Sequence, residues 1–207
     1  MPVEILLAFL AASVLLSLAP GPDNLFVLTQ GALYGPRAGV YITLGLCTGL
    51  IFHTTIAALG ISSLFLLSST AFLALKIAGA AYLLYLAYGA WRIGVAGDSR
   101  RDEVSLSGWQ LYRRGIIMNV TNPKVGIFFL AFLPQFAKPE FGPLGPQLLT
   151  LGALFIAQAL VVFCLIALVA GRLAERFRRS NRAQRLLNRG CAVIFTLLAL
   201  RLAFSAR

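Results

Sequence analysis

Two apolar stretches of this 207-residue chain are interrupted by proline and carry a charge where a bilayer-spanning helix tolerates neither well. The first reads Leu18-Ala19-Pro20-Gly21-Pro22-Asp23-Asn24-Leu25-Phe26; the second reads Asn119-Val120-Thr121-Asn122-Pro123-Lys124-Val125-Gly126-Ile127-Phe128-Phe129. A charge near the bilayer centre costs at least ~2.5–3.5 kcal/mol, so chains rarely keep one without a use. Broken backbone at that depth survives only where protein or a water-filled cavity re-satisfies the freed polar groups. Two such breaks, at matching places in two halves of a chain, point to the binding site of a secondary transporter.

Composition agrees with a membrane protein. Hydrophobic residues make up 59% and charged residues 12%, against roughly 45–50% and 25% in soluble domains. The net charge of +11 does not indicate nucleic acid, because the basic residues are confined to connections between apolar runs. That pattern belongs to cytoplasmic loops facing anionic lipid. The start, Met1-Pro2-Val3-Glu4, lacks a basic region and a small-residue cleavage site, so no removable signal peptide is expected. Cys47, Cys164 and Cys191 are far apart, and one histidine cannot complete a zinc site with them. Buried, inert thiols, no metal and no cofactor are expected.

A span needs about 20 apolar residues. Span one covers about Ile5 to Gln30 and is long enough to hold a break. Span two runs from about Gly39 to Ser62 and span three from about Ala71 to Trp91, because the uncharged run from Ala38 to Leu75 is too long for one crossing. A turn must fall at Ser62-Ser63 or at Ser68-Ser69-Thr70. Span four covers about Leu111 to Phe136, span five about Pro146 to Ala170, and a short span six, interrupted by Arg201, about Cys191 to Phe204. Arginine is concentrated after spans one, three and five: Arg37, then Arg92 to Arg114, then Arg172 to Arg189. The other side has Lys138, with Arg201 and Arg207 near the end. This bias places the basic connections in the cytoplasm and both termini outside.

The expected fold is therefore an all-α integral membrane protein of six transmembrane helices in one domain, 1–207. Two inverted three-helix repeats, about 1–94 and 111–207, flank a cytoplasmic connection at about 95–110, with helices one and four broken. Gly31/Gly35/Gly39 and Gly45/Gly49 give small residues at fourfold spacing, which lets helices pack closely. Such spacing serves packing within one bundle more often than a homodimer, which stays open.

Pro22 and Pro123 suit the first position of a half-helix, where a missing N–H costs little. Gly21 and Asn122 then fall at the caps, and Asn122 can accept from an orphan N–H. Each break would present a helix N-terminus to the interior, where an anionic group is favoured. Lys124 adds a full positive charge there, and Asp23 can receive an ammonium group, so the pair matches an amino acid zwitterion. Neutralisation of one charge by the other is the purely structural alternative. Asp23 is also the first candidate proton carrier, since burial and a nearby lysine act on a carboxyl group in opposite senses. His53, in the middle of span two, is the second; a lone histidine among apolar residues more often bonds one helix to another. Lys76 can snorkel at the end of span three. Gln158 either lines the cavity or packs, and the Tyr82/Tyr85/Tyr88 stripe reads as packing surface.

Several of these stretches resemble the LysE-type translocator family, in particular its RhtB branch of homoserine/threonine exporters. They are Pro20-Gly21-Pro22-Asp23-Asn24, Gly45 to His53, Gly79-Ala80-Ala81-Tyr82-Leu83, Asn119 to Lys124, and Phe132-Leu133-Pro134-Gln135-Phe136. The resemblance covers essentially the whole chain in order. It implies six spans in the bacterial inner membrane and export of amino acids or related metabolites, driven by the proton gradient. Pro20, Gly21, Pro22, Asp23 and Asn24 carry over from the first signature, and Asn122, Pro123 and Lys124 from the second. Many members have asparagine where Asp23 stands, which leaves substrate contact as the role the resemblance supports. A carrier of another small metabolite or of a cation is the alternative; a cation site would need clustered oxygen or sulfur ligands. A membrane thiol oxidoreductase lacks its cysteine pair. An intramembrane hydrolase lacks a second acid or a Ser/Lys arrangement, so no enzyme activity is expected.

Overall fold

The computed structural model describes residues 1–19, 21–61 and 106–179, with scattered positions between 73 and 92 and between 186 and 204. Pro20, the serine-rich turn candidates, Lys76, Cys191 and Arg201 lie outside the described residues, as do parts of spans three and six. Among the described residues all regular structure is helical. In chain order it comprises α1 (Val3–Leu18), α2 (Pro22–Tyr34), α3 (Pro36–Ile56), α4 (Gly108–Val120), α5 (Pro123–Ile127) and α6 (Leu144–Arg179). A π-helical turn, Ala57–Ile61, extends α3; α5 runs into a π-helical turn, Phe128–Phe132, and a 3-10 turn, Leu133–Phe136.

The expected breaks are present as bends. α1 and α2 meet at 59°, and α4 meets the Pro123–Phe136 segment at 50°. Pro36–Gly60 and Leu144–Ala170 are each long and apolar enough to cross a membrane, and each bent pair qualifies if it counts as one span. These four correspond to expected spans two, five, one and four. At its end α6 departs from expectation: it continues past Ala170 to Arg179, so Arg172, Arg176, Arg178 and Arg179 extend a helix instead of lying in a loop. The added residues are mostly Leu, Ala, Glu and Arg, good helix formers with no proline to stop them.

Local chemistry explains the boundaries. Ser107 and Gln110 form a capping box that starts α4, satisfying two orphan donors at once. Gly35 turns α2 into α3 with φ of 87°, a left-handed conformation that costs glycine nothing. Gly35 thus makes a turn and not a helix contact, unlike its fourfold neighbours. A Cβ on Gly31 or Gly39 would strike Ala170 or Ala167 of α6, and one on Gly45 or Gly49 would strike Tyr112 or Asn119 of α4. These four glycines are therefore used within the bundle, letting α2 and α3 approach α6 and α4 closely.

The core between the two broken pairs is aromatic. Phe9 of α1 stacks edge-on against Phe136 at 5.2 Å, while Phe128 and Phe129 meet Phe155 of α6 at 5.3 and 5.1 Å. Rings at such separations add about 0.5–1.5 kcal/mol per pair beyond their buried area. Gln147 bonds the Lys138 and Gly142 carbonyls and the Lys138 N–H, pinning the loop that leads into α6. Leu7, Leu25, Leu33, Ile51 and Leu168 point outward from α1, α2, α3 and α6. An apolar coat around the bundle suits hydrocarbon on its outside.

Candidate functional site

Both breaks bring polar residues into the aromatic interior, and the structure joins them at one place. Break one is the stretch between α1 and α2. Gly21 is the N-cap of α2, with no side-chain bond to the cap, and Pro22 takes the first helical position. Asp23 and Asn24 in that first turn are 4% and 9% exposed, although both are polar. Break two is built differently: the side chain of Asn122 accepts from the Lys124 N–H at 3.0 Å, and Pro123 opens α5. Lys124 is 8% exposed.

Each break frees carbonyl groups at the end of the preceding helix, and several of them find donors. At break one Asn24 Nδ2 donates to the Ser17 carbonyl, and Lys124 Nζ, from the other break, donates to the Ala19 carbonyl at 2.9 Å. The lysine reaches there because Gly21 has no side chain; a Cβ on it would lie 3.2 Å from Nζ. At break two Thr121 bonds Ile117 through its N–H and its hydroxyl. The Asn119 carbonyl accepts from the Asn122 N–H at 3.0 Å and faces His53 Nε2 at 3.1 Å. A carbonyl only accepts, so Nε2 carries the proton. His53 therefore links α3 to the end of α4, and its ring also sits 5.8 Å from that of Phe129.

A cavity of about 20 Å³, lined by Ser17, Asp23, Asn24, Asn119, Lys124 and Phe155 among others, lies between the breaks. That is room for about one water-sized group. Asn119 Nδ2 donates to Asp23 Oδ2 at 3.3 Å across the two breaks, whereas Asp23 Oδ1 and Asn24 Oδ1 are buried without a protein partner. Unpartnered buried oxygens are uncommon in folded proteins and call for an explanation. Gln158 lies nearby on α6 and donates to Ser17 Oγ at 2.9 Å.

Of the residues singled out in the sequence, Asp23, Asn24 and Lys124 meet at the cavity. Asn122 caps the half-helix that carries Lys124, and His53 is one hydrogen bond removed from the cavity, through Asn119. Pro22 and Pro123 start the half-helices. Sequence reasoning missed Asn119 as a site residue, although it stood in the quoted motif, and it missed Ser17. Ser13 and Ser17, four apart on an otherwise apolar helix and both buried, were the available signal, since positions four apart share one helix face. The Tyr82 and Tyr85 rings lie 5.9 Å apart and tilted by 34°, neither lines the cavity, and Tyr85 and Tyr88 are exposed. Cys47 and Cys164 are free thiols, and among the described residues no cluster of His, Cys, Asp and Glu could hold a metal.

Comparison with known proteins supplies the context for this geometry. The pattern of the family described as LysE type translocator matches residues 14–206. A homoserine/homoserine lactone efflux protein of Salmonella typhimurium is 37% identical over 200 residues, covering 97% of this chain and 96% of its own length. The protein of the same description from Salmonella typhi is 36% identical with the same coverage. An uncharacterized membrane protein of Vibrio cholerae is 35% identical over 87% of this chain and 88% of its own. No solved structure matches the chain.

Proposed function

The chain belongs to the LysE-type translocator family, and on that basis we propose that it exports amino acids of the homoserine, threonine or neutral type from the bacterial cytoplasm in exchange for protons. It is a multi-pass membrane transporter of a small molecule and not an enzyme. The observation that carries the export reading is the buried pair of opposite charges: Asp23 from one break and Lys124 from the other line a single cavity. Intramembrane charges mark substrate and ion pathways. A zwitterion needs both signs within a few ångströms, which two breaks meeting at one point supply.

In this reading Asp23, with Asn24, receives the substrate ammonium group. Lys124 meets the carboxylate through an N–H other than the one on the Ala19 carbonyl, while Asn122 holds the start of α5 in place. Asp23 is the first candidate for the coupling proton and His53 the second. The fold is proposed as six spans in two inverted repeats, in the inner membrane, with both termini outside. The two proline-opened, oppositely charged breaks and the arginine bias support it. A reporter fused after Arg207 tests the topology, and activity confined to the cytoplasm would rule out the six-span arrangement. Transport is tested with purified protein in proteoliposomes loaded with a labelled amino acid panel. Efflux of homoserine or threonine that rises with an imposed proton gradient is expected. No efflux above protein-free liposomes for any amino acid would sink the export reading.

A further inference from the structure

Ser17 joins the charged breaks to α6. Its carbonyl accepts from Asn24 Nδ2, and its hydroxyl oxygen accepts from Gln158 Nε2 at 2.9 Å. Ser17 lines the cavity together with Phe155 and Phe163, and Gln158 sits between those two phenylalanines along α6. The glutamine is 7% exposed, and among the described residues its Oε1 has no hydrogen-bond partner. We infer that Gln158, steadied by Ser17, reads the side chain of the substrate and that what it reads is a hydroxyl group. A short hydroxylated amino acid is then bound in preference to an apolar one of the same size. The inference rests on the export reading for what the cavity binds, and it deepens that reading by separating hydroxylated substrates from other neutral amino acids and by naming the residue that does so.

An amide oxygen without a partner inside an apolar bundle costs free energy, which a ligand that donates to it recovers. A packing contact between α1 and α6 would account for Nε2 and leave Oε1 unexplained. The pair offers both kinds of bond: Oε1 accepts, whereas the Ser17 hydroxyl and the second N–H of Gln158 donate. A hydroxyl is a small neutral group that also does both, so it fits the pair whichever way the amide is turned. The ammonium group of the substrate only donates and its carboxylate only accepts, and the full charges of Asp23 and Lys124 attract these two groups more strongly than a neutral amide does. The side chain is the part left for Gln158. Discrimination at such a site is steep, because an analogue that lacks the hydroxyl leaves buried polar groups unpaired; a purely apolar pocket separates the two far less.

The test uses the full-length protein in detergent and follows its thermal unfolding midpoint with L-homoserine and with L-norvaline, which carries a methyl group in place of the hydroxyl. The unaltered protein should bind homoserine at least about tenfold more tightly than norvaline. Gln158→Met keeps the length of the side chain and removes its polar atoms, so the ratio should fall to about twofold or less, through loss of homoserine affinity. Midpoints raised equally by the two compounds, or by neither, would overturn the inference on the unaltered protein alone. A Gln158→Met protein that keeps the tenfold preference, or that loses both compounds alike, would reduce the amide to a packing contact and overturn it as well. If that variant does not fold, Ser17→Ala decides: it removes the anchor of the amide and should narrow the ratio, and an undiminished preference overturns the inference. Efflux from proteoliposomes separates the inference from the export reading. Norvaline exported as fast as homoserine would keep export and end hydroxyl recognition. Homoserine-selective binding without efflux of any amino acid would sink export and leave hydroxyl recognition standing.

Discussion

The two helix breaks have the same ingredients and solve the same problem in opposite ways. Each has a proline at the first position of a half-helix, a charge in the first turn and freed carbonyls behind it. Break two is largely self-sufficient: Thr121 and Asn122 bond its own backbone, and His53 adds one contact from α3. Break one has no side-chain cap, and its Ala19 carbonyl depends on Lys124, borrowed from break two. Break two therefore acts as the anchor. Break one is the part held by a bond from the other break, and it holds two buried oxygens without a protein partner, Asp23 Oδ1 and Asn24 Oδ1, against one, Asn119 Oδ1, at break two.

Substitutions can test that contrast, the largest effect first. Lys124→Met keeps much of the stem but removes both the tie to Ala19 and the positive charge, so efflux from proteoliposomes should fall to background. Lys124→Arg should restore only part of it, since a planar fork does not replace a compact ammonium. Wild-type efflux by a folded, membrane-inserted Lys124→Met protein would remove the lysine from the mechanism.

Asp23→Asn comes next. It retains shape but offers the substrate amine a neutral oxygen, so apparent affinity for homoserine should drop at least about tenfold, the loss expected for a hydrogen bond to a charged partner. The pH profile of efflux should change with it if Asp23 carries the coupling proton. An unchanged profile together with unchanged affinity would reduce Asp23 to a bonding partner of Asn119 and move the proton role to His53.

The anchor should respond as a structural element. Asn122→Ala removes the cap of α5 and should cost about 0.5–2 kcal/mol of stability, seen as a lower unfolding midpoint with the apparent affinity for homoserine retained. Loss of that affinity without loss of stability would contradict the division of roles. Gly21→Ala should have the smallest effect. Its backbone, at φ of −165°, is extended and open to any residue, and the added Cβ meets only the flexible end of Lys124. The midpoint should barely move, while efflux slows a few-fold as the ammonium is pushed from Ala19, roughly a 1 kcal/mol effect. Efflux at the wild-type rate would mean that the lysine's position is not sensitive on that scale.

Much of this protein was legible along the chain because the determinants are local. Hydropathy located α3, α6 and the two bent pairs, and proline next to a charge located both breaks. Gly21 and Asn122 were placed at caps because capping involves residues two or three positions apart. Gly35 shows the limit of spacing: it shares the fourfold register of Gly31 and Gly39, yet it makes a turn. The partners at the site were beyond reach of any such rule. Lys124 and Ala19 are 105 residues apart, Asn119 and Asp23 96, and His53 and Asn119 66. The sequence determined by itself that two broken spans would leave carbonyls and charges needing partners, because the cost of burying them is a property of each residue. Only the tertiary structure decided which partners they found, and so which acceptors were left without one, because hydrogen bonds form between groups that packing brings within about 3 Å, however far apart they lie along the chain.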